Sequence, residues 1–145
     1  MTTMEFKLTL NAPIETVWHT WTDSKDITNW FSPEAYIEPR MGGSYELYFD
    51  PSNHDHQSTK GCKITEIKPR TSLGFQWRGP DMFNETMNDP APITFVHITF
   101  EVDSEKTHVT VHHGGWGKGE KWEEAKAWHI QAWEGVLVGL EKYLG

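Results

Sequence analysis

Hydrophobic residues change their spacing once, abruptly, near Glu120. Just before that point Val109, Val111 and His113 alternate with polar neighbours, the period of two that sets one face of a strand against a core. Beyond it Trp122, His129, Trp133, Leu137, Leu140 and Leu144 recur at helical spacing and predict one long helix from about Glu120 to Leu144. A helix with a single apolar stripe has to bury it against another layer, so the rest of the chain must supply that layer.

The upstream pattern supplies strands. Phe6, Leu8 and Leu10 share one face of a strand over residues 4–10; Tyr45, Leu47 and Phe49 share another over 44–49. Residues 59–68 carry Cys62, Ile64 and, after a bulge, Ile67; Leu73, Phe75 and Trp77 follow at period two. Ile93 to Val102 and Lys106 to His113 form a hairpin about Asp103-Ser104-Glu105. Between the first and second strands, Asn11-Ala12-Pro13-Ile14-Glu15 opens a helix with Ile14, Val17, Trp18 and Trp21 on its stripe. Asp23 or Ser24 caps a second short helix reaching Trp30. Residues 78–92 hold three prolines and no period, which predicts a loop. The fold class is therefore α+β: an antiparallel sheet wrapped on the final helix, two short helices after the first strand, and one domain over 1–145.

Charge and chemistry narrow the function. Thirteen Lys and Arg against 21 Asp and Glu leave a net charge of −8, which repels phosphate backbones and argues against nucleic-acid binding. No apolar run approaches the roughly 18 residues of a membrane span, and no secretory leader is visible. Cys62 is the only cysteine, so no internal disulfide forms, and a reducing cytoplasm is the expected home. Its place on the core face of a strand predicts an inert thiol. His54-Asp55-His56 offers metal-ligand chemistry, but on loop backbone it reads as a solvated polar loop, and no metal and no cofactor are expected. The glycines from Gly114 to Gly119 are no phosphate cradle: a P-loop there needs Gly at His112 and Ser or Thr at Gly119. They predict a flexible connection, with Trp116 carried on a mobile flap. No nucleophile elbow is present, and catalytic residues stay unassigned.

Taken in order, Ala12-Pro13, Glu15, Val17, Trp18, Trp21-Thr22-Asp23, Trp30-Phe31, Arg40, Gly42-Gly43, Gly61, Ile67, Pro69, Leu73, Trp77, Trp133, Leu137, Leu140 and Leu144 carry a resemblance. The chain resembles the START-like (SRPBCC) superfamily with its helix-grip fold, which includes the birch-pollen-allergen-like proteins. Within it the chain is similar to the group named for homology to the activator of the heat-shock protein ninety ATPase. The resemblance departs around Trp116, from Trp122 to His129, and at His54 to His56, where a ligand or its entrance would be tuned.

The resemblance implies an apolar cavity between the curved sheet and the long helix, holding a small apolar or aromatic molecule. Phe49, Trp77, Trp122 and Trp133 would form its walls, Trp116 would cover it, and His113 and His129 would be polar anchors. Two readings of those histidines stay open: hydrogen-bonded groups at the core edge, or groups lining the cavity. On the second reading Trp133 serves the fold and His129 the site, so replacing His129 should cost little stability. An enzyme of polyketide cyclase-like or hydrolytic type using the same cavity is the rival. A chaperone partner follows from the group's name alone, and a homodimer is compatible with the chain.

Overall fold

The computed structural model describes residues 3–145. Strand β1 (Met4–Leu10) pairs along its length with β7 (Lys106–Gly114), β7 with β6 (Thr94–Asp103), β6 with β5 (Ser72–Trp77), and β5 with β4 (Ile64–Lys68). All four pairings are antiparallel, and the five strands make one curved sheet around helix α3 (Glu120–Leu144), the helix-grip architecture. Ala125, His129, Trp133, Leu137 and Leu140 of α3 are buried at spacings of four and three, which is the stripe that faces the sheet.

The bulge in β4 falls between Ile64 and Glu66, and the β6–β7 hairpin turns through Ser104, whose φ of 56° suits a tight turn. Regular strand begins only at Ile64, because residues 58–63 join β3 (Tyr45–Tyr48) through separate contacts such as Tyr45 N to Cys62 O, 2.9 Å. In β3 the inward faces are Tyr45, Leu47 and also Tyr48, whereas Phe49 is 38% exposed. The strand ends before Phe49, so strict alternation no longer governs it.

Helix α1 (Ile14–Thr22) starts after Pro13 without a side-chain cap, so Asn11 does not serve as one. The second helix is only a 3-10 turn, Asp26–Asn29, capped by Asp23 Oδ2, which accepts from the Lys25 and Asp26 amides at 3.1 and 2.8 Å. Ser24 does something else: its Oγ accepts from Ile37 N at 2.7 Å and so pins β2 (Glu34–Ile37), which pairs with β3. Tyr45 stacks on Phe75 at 3.9 Å and donates its hydroxyl to Trp21 O at 2.6 Å, joining α1 to the sheet.

Residues 78–92 are not a plain loop. A 3-10 turn at Asp81–Phe83 and a four-residue helix α2 (Asn84–Met87) bury Phe83 and Met87. Asn88 fastens the segment, donating to Gly79 O at 3.0 Å and accepting from Gly79 N at 2.9 Å. A Cβ at Gly79 would lie 2.4 Å from the Met87 sulfur, so a larger residue there would have to displace the end of that buried side chain. Elements this short leave no measurable period in a sequence.

Candidate functional site

Period two in β5 turns Trp77 inward at the strand's end, and helical spacing brings His129 and Trp133 opposite it. The Trp77 indole N–H donates to His129 Nε2 at 3.1 Å, while His129 Nδ1 donates to Ala125 O at 2.8 Å. The mirror arrangement lies beside it. The Trp133 indole N–H donates to His113 Nδ1 at 3.0 Å, and His113 Nε2 donates to Thr94 Oγ1 at 2.9 Å. One indole therefore reaches from sheet to helix and the other from helix to sheet, so the two layers are joined by polar bonds of opposite direction inside an aromatic core.

That network sets the protonation of both rings. Burial pushes His113 well below the ordinary histidine value, with the nearby His129 adding to the fall, and burial takes His129 down to about 4. Each imidazole is thus neutral at pH 7, with one nitrogen receiving an indole proton and the other donating its own. Cys62, fully buried, has its thiol pushed up to about 12 by burial, the inert state expected of it.

A pocket of about 210 Å³ opens at this end of the sheet, between Trp77 and α3. Four of the seven expected ligand residues line it: Phe49, Trp77, His129 and Trp133. His113, Trp116 and Trp122 are not among its lining residues. His113 has no exposure at all and sits behind the Trp77 and Trp133 rings. Trp116 is seated rather than displayed, 4% exposed with its indole N–H on His113 O at 2.8 Å. The Trp122 ring lies over Gly117, where a Cβ would stand 2.4 Å from its nitrogen. The glycines near Trp116 thus let the Trp122 indole and, at Gly114 and Gly115, the Phe95 ring pack closely against the backbone, a role that their hinge-like composition does not advertise.

Phe31, Trp128, Ala132, Val136 and Arg78 complete the walls together with Gln57, Ser58, Gly79 and Pro80. Phe31 belongs to the resemblance signature and Arg78 adjoins another of its residues, Trp77, but only the fold turns them toward one space. His129 has two functions: it faces the pocket, and it is the acceptor for Trp77. The expectation that replacing it is nearly free in stability fails on this point, because a buried indole N–H would be orphaned.

The His54 to His56 loop does not gather ligands. His54 Nε2 lies 2.8 Å from Glu34 and stacks on Tyr48, whereas His56 pairs with Asp81. Among the described residues no group of three His, Cys, Asp or Glu side chains is placed to hold a metal ion, and no helix is long and apolar enough to cross a membrane.

Comparison with known proteins gives a family and a fold. Residues 11–145 match the family described as "Activator of Hsp90 ATPase homolog 1-like protein". No curated protein matches the sequence. Among solved structures, the Aha1 dimer of Colwellia psychrerythraea superposes with a TM-score of 0.74 at 17% identity, covering 99% of this chain and 96% of that one. An Hsp90 activator from Plasmodium falciparum gives 0.72 at 19% identity, covering 100% and 97%. DynU16, a protein of the dynemicin biosynthetic locus, gives 0.72 at 20% identity over 99% of this chain. The chain spans about half of DynU16, 47% of its length.

Proposed function

The chain belongs to the Activator of Hsp90 ATPase homolog 1-like family, and from that premise we propose that it binds one small apolar or aromatic molecule in the pocket between β5 and α3. The observation carrying this reading is the contrast within one interior: the His113, Trp116 and Trp122 end is filled, while the Trp77, Trp128 and Trp133 end leaves about 210 Å³ open. That volume is below the usual range for drug-sized ligands, so the occupant is small. An aromatic wall with few polar groups supports binding by burial and stacking. Acid–base catalysis by the histidines is the weaker reading, since all four ring nitrogens are engaged by the protein. The single, buried cysteine supports a reducing, cytoplasmic setting.

Native mass spectrometry of the purified protein, followed by titration with one- and two-ring aromatic probes, tests the reading. Ala132→Phe places a ring in the pocket and should abolish binding with an unchanged melting temperature. Probe binding that Ala132→Phe leaves intact would move the site elsewhere. The family description supports a second reading, contact with a chaperone ATPase; stimulation of such an ATPase that survives Ala132→Phe would favour it over the pocket.

A further inference from the structure

Arg78 is the cation in the pocket wall. The chain has three arginines, and two are matched with acids: Arg40 lies 3.4 Å from Glu38 and Arg70 3.6 Å from Glu15. Among the described residues Arg78 has no carboxylate oxygen within 4.0 Å, and its side chain makes one long hydrogen bond, 3.5 Å to Asn84 Oδ1. Acids outnumber bases 21 to 13, so a guanidinium left without one is the exception that needs a cause. Nearby acids are committed elsewhere. Asp55 feels the Arg78 charge, but its carboxylate lies 2.6 Å from Lys60 Nζ. Glu46 accepts from the Tyr48 hydroxyl and from Gly61 N at 2.9 Å.

A second donor faces the same space. Gln57 lines the pocket, and its Oε1 accepts from Asp81 N at 2.8 Å, which leaves its –NH₂ without a partner among the described residues. A half-buried guanidinium beside an amide –NH₂ offers planar N–H groups that match the two oxygens of a carboxylate. A phosphate ester would bring close to two charges against one cation, so the carboxylate is the better electrostatic fit. The apolar surroundings strengthen any such pairing relative to water.

We propose that the ligand is a carboxylic acid with an aromatic or compact apolar body, its body among Phe31, Trp77, Trp128 and Trp133 and its carboxylate on Arg78 and the Gln57 amide. This rests on the pocket being the binding site and adds the charge of what fills it. At about 30 Å³ per water, the cavity holds roughly seven waters' worth of ligand, which suits one or two rings.

The test is calorimetric titration with benzoate, phenylacetate and 1-naphthaleneacetate, each beside its neutral amide, against wild type, Arg78→Met, Arg78→Lys and Ala132→Phe. The expected result is an acid preference over the amide on the order of tenfold or more in wild type. Arg78→Met should erase that preference while keeping the amide's affinity, Arg78→Lys should restore part of it, and Ala132→Phe should remove both ligands. Acid and amide binding equally, with Ala132→Phe still blocking both, would overturn the carboxylate and leave the pocket standing. A preference that persists in Arg78→Met would overturn the assignment of Arg78. No binding of any acid or amide to wild type would overturn both the inference and the binding reading beneath it.

Discussion

Six of the eight histidines lie at or near the surface beside a carboxylate, whereas His113 and His129 are buried with indole N–H groups as their partners. The same side chain is therefore put to opposite electrostatic uses. At the surface a proton on the ring gains a neighbouring anion, as between His97 and Glu66 at 2.8 Å, and water solvates whatever charge results. In the interior a proton on His129 Nε2 would face the Trp77 N–H and have no water to receive it. The buried pair holds sheet and helix together only while neutral; the surface pairs carry little of the fold's stability in either state.

The largest expected effect comes from breaking the buried side of that comparison. Trp133→Ala removes a ring that contacts Phe31 and Trp77 and also strips His113 of its donor, so denaturant titration should show a loss of about 3–5 kcal/mol.

Acid is the next lever. Between the ordinary histidine value of 6.5 and the folded value of about 4 for His129, the unfolded chain binds protons that the folded chain refuses. Stability is then fully present above 6.5 and falls as pH drops through that window, at up to about 1.4 kcal/mol per pH unit for each buried histidine. Asp26 responds lower on the scale. Burial raises its carboxyl, but hydrogen bonds from Tyr143 and His19 outweigh that for a net fall, so its contribution is lost only below the ordinary 3.8. Denaturation curves from pH 7 to 4 should therefore decline well before the carboxylates titrate; a flat profile down to pH 4.5 would contradict neutral buried histidines.

His129→Phe sharpens the same point. It should cost about 1–3 kcal/mol by orphaning the Trp77 N–H, and it should lower the slope of stability against pH by one histidine's share. His129→Gln, whose carbonyl can accept from Trp77, should recover much of the loss while keeping the shallower slope. At the small end, His112→Ala breaks only a surface pair with Glu5 and should leave the denaturation midpoint at pH 7 unchanged.

Most of the scaffold is legible in the residues because its signals are local and repeated. Alternation in β5, β6 and β7 and the stripe from His129 to Leu140 each extend over several turns or pleats, so burying one face requires that register and no other. The Asp23 cap and the β4 bulge are legible for the same reason, since each is decided within four residues. Shorter or isolated features are not: β2 and α2 have four residues each, and Phe49 lies just past a strand end where alternation stops applying.

The site divides along the same line. Alternation and helical spacing by themselves determined that Trp77, His113, His129 and Trp133 turn toward the interior. Tertiary structure alone decided that the indoles and imidazoles pair crosswise, that Trp116 and Trp122 fill one end, and that Arg78 stands beside the open end with no acid paired to it among the described residues. Periodicity specifies which face a residue occupies, which is a property of its own strand or helix. Which partner it meets there depends on where two elements far apart in the chain cross, and residue spacing carries no record of that distance.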